Sequence, residues 1–240
     1  MYFFLKVGIA IVYHVGVESE PKNGENNVVM KKALILLADG FEETEALTTH
    51  DILIRSHAIK PTLVSMMDSL MVTTSMGLKV IADHMFAEIN PNDYDFVILP
   101  GGKVGVDNLS ADPRVIALLK KYHNEGKHHH AICAAPSILC KLGYLDDKSF
   151  TCFPGFQSGK GTYLDKGVVV DGEQVTGRSM GYTIEFAEEI VKLEAGQEAL
   201  DSLYFGTRGK EKEKWEIEKN IKNLRRSSTK RAKSAKSSPS

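Results

Sequence analysis

The chain has 240 residues, 42% of them hydrophobic, with a formal net charge of −1. That is enough for one α/β domain of ordinary size plus extra segments, and it excludes a disordered chain. No run of about eighteen apolar residues exists, which argues against a spanning helix, and three cysteines (Cys133, Cys140, Cys152) are too few and too irregular for a disulfide framework or a metal knuckle, so a reducing compartment such as the cytoplasm is expected.

The net charge hides an asymmetry. Residues 210–240 carry eleven Lys/Arg and four Glu, so an acidic body of charge −8 precedes a tail of charge +7. Residues 1–29 begin with an apolar stretch (Phe3, Phe4, Leu5, Val7, Ile9) interrupted by Lys6, Tyr13 and His14, with no small-residue cleavage site after it. We read them as a dispensable extension or an upstream start rather than a targeting signal. The domain is expected over residues 30–209. The tail from 210 onward reads as a solvated helix followed by a disordered Ser/Lys/Ala segment. Its Arg225-Arg226 and Lys230-Arg231 pairs would be the one route to nuclear targeting or nucleic-acid contact.

Within the domain, Ala33 to Ala38 form a continuous apolar run, the pattern of a strand buried on both faces. Asp39-Gly40 stops it. Ala46, Leu47, Leu53 and Ile54 then recur at helical spacing. Residues 59–65 predict a second strand, residues 78–82 a shorter one, and residues 95–99 a buried one stopped by Pro100-Gly101-Gly102. Asp112-Pro113 has the form of an N-cap with proline at the first helical position, and Gly126 closes that helix. Its inward face is expected to hold Ala117, Leu118 and Tyr122. Val168 to Val170 and Gln174 to Thr176 flank Asp171-Gly172, a type I′ hairpin signal. Residues 182–193 predict a helix with Ile184, Ala187, Ile190 and Val191 on its apolar stripe. Strands alternate with helices, so the fold class is α/β: a mostly parallel, doubly wound sheet with helices on both faces. In such folds the site lies beyond the carboxyl ends of the strands.

The breaks at Asp39-Gly40, Pro100-Gly101-Gly102 and Cys133 all fall at those ends. Cys133 ends a strand and precedes a helix, a place where dipole and exposure favour the thiolate. Glu45, in the first turns of a helix beside inward-facing Ala46, could reach the strand ends. A carboxyl buried next to a thiol would have its pKa raised and could act as general acid and base. Glu42 and Glu43 read as surface carboxylates favoured by the helix dipole. The N–H groups of Gly101, Gly102 and Ala134 could form a hole for an oxyanion. His128-His129-His130 alternate faces on a strand, so they would not converge on one metal. Cys140 reads as core. Cys152 is expected on a strand and turned away from Cys133, so an oxidised Cys133 would stop at a sulfinate rather than form an internal disulfide.

Three separated segments, residues 32–46, residues 95–102 and residues 131–136, closely resemble the DJ-one/ThiJ/PfpI superfamily, in particular its parkinsonism-associated deglycase-like branch. The resemblance covers about residues 31–205. It implies a flavodoxin-like homodimer, with Cys133 as a nucleophile-elbow cysteine in a strained conformation and Glu45 as its buried partner. It further implies an oxyanion hole from Gly101, Gly102 and Ala134, and Arg55 in support near the dimer interface. The activities implied are a glyoxalase without glutathione or a deglycase, acting on methylglyoxal, glyoxal or glycated proteins, with no metal or organic cofactor. The alternative is a redox-sensing stress protein or chaperone in which Cys133 is oxidised rather than catalytic. The family's proteases carry a histidine after the cysteine. Here Ala134 stands there, which argues against proteolysis. A histidine often near the cysteine aligns with Phe153, and an arginine of a neighbouring loop aligns with Met76.

Overall fold

A computed structural model describes residues 30–208. The readings made for residues 1–29 and for the basic tail lie outside the described residues.

In chain order the elements are β1 (Lys31–Leu37), α1 (Glu43–Arg55), β2 (Ile59–Ser65), β3 (Met71–Thr73), β4 (Lys79–Ile81), β5 (His84–Met85), β6 (Phe96–Leu99), α2 (Lys103–Ala111), α3 (Pro113–Asn124), β7 (His128–Ile132), α4 (Pro136–Lys141), β8 (Ser149–Phe150), β9 (Thr162–Tyr163), β10 (Val168–Asp171), β11 (Gln174–Gly177) and α5 (Thr183–Arg208). Seven strands form one sheet in the order β10-β11-β7-β6-β1-β2-β5. Every neighbouring pair is parallel except β10 with β11. The strands β3 and β4 pair apart from it, antiparallel, as do β8 and β9 in a parallel pair.

The two-residue alternation of a strand explains the layers. From β1, Leu34 and Leu36 join Val97 and Leu99 of β6 under the helices α2, α3 and α4. Ala33, Ile35 and Leu37 point the other way, with Phe96 and Ile98, toward α1 and α5. Both faces are covered, so β1 has no polar side to show and reads as an unbroken apolar run. The flavodoxin-like α/β class expected from the sequence is the one observed.

Several local expectations are corrected. Ile54 and Ile184 are exposed, and Thr49, Ile52 and Phe186 are buried in their helices instead. Ala117 is exposed, with Val115 and Leu119 joining Leu118 and Tyr122 inside. In the β10–β11 hairpin Asp171 pairs with Gln174, so the loop is Gly172-Glu173. Positive φ occurs at Gly172 alone, whereas a type I′ turn needs it at both loop residues. Cys152 lies in a loop after β8 rather than on a strand, and it is buried. The helix α5 runs past the expected end: it is interrupted at Gly196 (φ 88°), and its second half places Leu200 and Leu203 in the core shared with α1.

Candidate active site

The site forms where β1, β6 and β7 end. Cys133 follows β7 directly and has φ 64°, a left-handed conformation that costs a non-glycine residue about 1–2 kcal/mol. Its neighbours over-determine that geometry. The Cys133 N–H donates to the Gly177 carbonyl at 2.8 Å, and its own carbonyl accepts the Phe153 N–H at 2.7 Å. Just beyond, the Ala135 N–H donates to Ile132 at 3.0 Å, closing the sharp turn into α4. The half-buried thiol therefore stands on a strained elbow between a strand and a helix.

Glu45 reaches it from the start of α1 and is 1% exposed. Glu42 is the N-cap residue, and its carboxylate accepts the Glu45 N–H at 2.6 Å. The loop after β6 is strapped to this turn twice. The Glu42 N–H donates to the Gly101 carbonyl at 3.0 Å, and the Gly101 N–H donates to Glu45 Oε2 at 2.7 Å. Glu45 Oε1 has no hydrogen-bond partner of ordinary geometry among the described residues, and the carboxyl as a whole interacts with the Cys133 thiol. A Cβ on Gly101 would lie 2.4 Å from Glu45 Oε2, 2.5 Å from Cys133 Cβ and 3.1 Å from Sγ. Only glycine lets the carboxyl and the thiol meet over that backbone. Gly102 is required for a second reason: its φ is 86°, and a Cβ there would meet the Gly40 carbonyl at 2.3 Å.

The oxyanion-hole expectation changes in one respect. The Gly101 N–H is taken by Glu45, so Gly101 is a support for the carboxyl rather than a donor to the hole. The N–H groups of Gly102 and Ala134 both act on the Cys133 sulfur and favour its charged form. Arg55 is not brought to the thiol within this chain. It lies ten residues beyond Glu45 on α1, about 15 Å along the axis, exposed and paired with Asp51 at 2.7 Å. Met76 is exposed at the turn between β3 and β4, whose Ser75 hydroxyl donates to Glu43 at 3.2 Å.

Burial raises the Glu45 pKa to about 7, with the nearby Glu42 charge adding to it; the Gly101 N–H and the thiol pull it back. The Cys133 thiol is pushed up to about 12 by burial and then by the Glu45 charge and hydrogen bond. A depressed thiol pKa, expected from the helix start alone, is therefore not what the site produces. Between those two values the pair carries one proton and one negative charge. When the proton sits on Glu45, the charge that raises the thiol vanishes, while the Gly102 and Ala134 N–H groups remain to hold a thiolate. The arrangement is a hydrogen-bonded Cys/Glu pair. Sequence reasoning takes Glu42 for a surface carboxylate favoured by the helix dipole; it is the N-cap instead, three residues before Glu45, the spacing of a capping pair.

A second cluster lies on the face of β7 toward α5. Glu194 Oε1 meets His128 Nδ1 at 2.5 Å and His130 Nε2 at 3.0 Å, and Lys31 Nζ donates to Oε2 at 2.7 Å. The ligand atoms of His128, His130 and Glu194 lie within 4.8 Å of one another. His129 faces the other way, beside His123 and Tyr144. The Val175 N–H donates to His130 Nδ1 at 3.1 Å, so the ring proton of neutral His130 sits on Nε2 and points at Glu194. A metal would need that lone pair. The donor set fits a proton-held tie between β1, β7 and α5 better than a cation site.

The fold and the elbow define a flavodoxin-like α/β protein with a cysteine on a strained strand-to-helix turn and a buried glutamate beside it. A match to the DJ-1/PfpI family spans residues 31–193, and the chain belongs to that family. It is 34% identical over 168 residues to Protein DJ-1 homolog B of Arabidopsis thaliana, covering 69% of this chain and 38% of that longer protein. A protein of Pyrococcus abyssi named as a deglycase is 32% identical over 167 residues, 68% of this chain and 98% of the relative. The crystal structure of Drosophila melanogaster DJ-1beta superposes with a TM-score of 0.69 at 33% identity, covering 74% of this chain and 97% of that one.

Proposed function

We propose that the chain is a cysteine-dependent glyoxalase or deglycase acting on methylglyoxal, glyoxal or their protein adducts. The observation that supports this most is the Cys133–Glu45 pair at the strained elbow, beside the N–H groups of Gly102 and Ala134. The deglycase name of the Pyrococcus relative agrees with it.

With methylglyoxal the thiolate attacks the aldehyde carbon. A C–S bond forms, the carbonyl π pair becomes an alkoxide at Gly102 and Ala134, and the Glu45 proton neutralises it. Glu45, now a carboxylate, takes the C1 proton to give an enediolate and returns it to C2, while the C1 hydroxyl proton passes to the C2 oxygen. The ketone is thereby reduced to an alcohol while C1 is oxidised to a thioester, with no external electron acceptor. Water then breaks the C–S bond, releasing lactate and the thiol. On a glycated amine the hemiaminal carbon is already tetrahedral, so the C–N bond breaks as the C–S bond forms, the amine leaves with the Glu45 proton, and the same hemithioacetal results.

The apolar Ile54 and Ile184, exposed beside the Arg55 end of α1, fit the face of a homodimer. Among the described residues no helix is long and apolar enough to cross a membrane. Three free cysteines fit the cytoplasm as compartment.

The second reading, oxidation of Cys133 as a sensor, is favoured by one observation. Cys140 and Cys152 are both buried, so neither is presented as a resolving thiol. Purified protein assayed for lactate formation from methylglyoxal without glutathione separates the two. Turnover supports the enzyme. No turnover, with Cys133 oxidising at low peroxide, overturns it in favour of the sensor.

A further inference from the structure

Phe153 is tied by its backbone to Cys133 on one side and to its own turn on the other. Its N–H donates to the Cys133 carbonyl at 2.7 Å, and its own carbonyl accepts the Phe156 N–H at 3.1 Å. The second bond closes the turn Phe153-Pro154-Gly155-Phe156, in which Gly155 has φ 94°. Proline at the second position and a positive-φ glycine at the third are what a type II turn requires, so the loop is stiff without packing from its side chains. The Phe153 ring is nonetheless 45% exposed, paired edge-to-face with Phe156 at 6.3 Å between centroids. Val104 stands in the first turn of α2, two residues after Gly102, and is 58% exposed. It packs over Gly40, where an added Cβ would strike it at 2.6 Å. The adjacent Lys103 is engaged with Asp107 at 2.8 Å. Backbone hydrogen bonding thus ties one apolar residue to Cys133 itself, and chain continuity ties another to the Gly102 donor.

We infer that Phe153, with Phe156 and Val104, forms an apolar rim that selects 2-oxoaldehydes bearing a large apolar or aryl group on the ketone carbon. This deepens the proposed glyoxalase reading and rests on it. The ring touches only the substituent, never the reacting carbons. The chemistry at Cys133 and Glu45 is unchanged, and the product is the corresponding 2-hydroxy acid. Methylglyoxal, with one methyl group, leaves the rim empty. A phenyl group would cover the exposed Phe153 face, where offset or edge contact between rings is favourable.

The experiment compares kcat/KM for phenylglyoxal and methylglyoxal, followed as mandelate and lactate formation, in the full-length chain and in Phe153→Ala and Phe153→Leu. The ratio of phenylglyoxal to methylglyoxal is expected to fall at least about tenfold in Phe153→Ala, the discrimination that an apolar group ordinarily gains in an apolar pocket, and less in Phe153→Leu. Taking the ratio cancels the intrinsic reactivity of the two aldehydes. In the unmutated protein, mandelate should inhibit methylglyoxal turnover at a concentration at least about tenfold below lactate, a readout independent of whether the variants fold. An unchanged ratio in Phe153→Ala, or equal inhibition by mandelate and lactate, overturns the rim while leaving the glyoxalase reading standing. Absence of turnover with both aldehydes overturns the glyoxalase reading and the rim with it.

Discussion

Replacing Glu45 with glutamine should stabilise the fold while disabling the site. Burial raises the Glu45 pKa from 4.5 to about 7, and the group is almost wholly enclosed. In the unfolded chain the carboxyl ionises near pH 4.3; in the folded chain it holds its proton until about pH 7. Across that interval the folded state binds more protons, so stability falls as pH rises through the folded pKa. The shift corresponds to about 3 kcal/mol of lost stability at pH 8. Glutamine keeps the shape and can still accept from the Gly101 N–H, but it carries no charge. Glu45→Gln should therefore match the unmutated protein near pH 4 and exceed it by about 3 kcal/mol at pH 8, a Tm difference on the order of 6–12 °C. Denaturant melts at half-unit pH steps measure this. A difference that does not grow between pH 4 and 7, or a glutamine variant that is the weaker at pH 8, would refute the argument that burial of this carboxyl sets its proton affinity.

Three further outcomes follow from the geometry. Gly101→Ala should lower kcat/KM for methylglyoxal by about 100-fold or more, since its Cβ would displace both Glu45 and Cys133, and misplacement by an ångström costs about that much; wild-type kinetics would contradict the contact. The His128–Glu194 tie should be strongest in mild acid. Glu194 is lowered, burial notwithstanding, by donors from His128, His130 and Lys31, so its contribution is lost only well below the usual carboxylate range. His128 is raised chiefly by its hydrogen bond to Glu194, so its contribution is present below about pH 6.5 and fades as pH climbs through the raised value. His128→Gln should accordingly cost about 3 kcal/mol at pH 5.5 and markedly less at pH 9, read from melts at the two pH values; an equal cost at both would point to packing alone. Mild peroxide should add oxygen to Cys133 without linking it to Cys140 or Cys152. Intact-mass and peptide mapping would show the reverse as a disulfide.

The sequence exposed some levels of this structure and concealed others, for physical reasons. The run from Ala33 to Ala38 announced a strand covered on both faces, and Asp112-Pro113 announced a helix start, because both depend on local composition. Cys133 and Glu45 could be nominated from their positions at element ends. Gly101 and Gly102 could not be told apart: adjacent N–H groups point in different directions, and which one meets Glu45 depends on how the loop is strapped to α1. The elevated thiol pKa was hidden for a related reason. The helix start is local, while the burial and the Glu45 charge that outweigh it come from a helix almost ninety residues earlier. The two-residue period put His128 and His130 on one face, yet nothing nearby revealed Glu194 on α5 as their partner. Ile54 and Ile184 fell on the apolar stripes of their helices and are exposed all the same, because helical period marks a face without saying what covers it.

The central claim is a division of labour: Cys133 attacks the aldehyde, and Glu45 moves the proton. Native intact-mass spectrometry of protein in the presence of methylglyoxal, read beside lactate formation, tests it most directly. Glu45→Gln should carry an adduct on Cys133 while its turnover falls by about 100- to 10,000-fold, and Cys133→Ser should show neither adduct at that position nor lactate. Turnover by Glu45→Gln at the unmutated rate, or lactate from Cys133→Ser, would contradict the account.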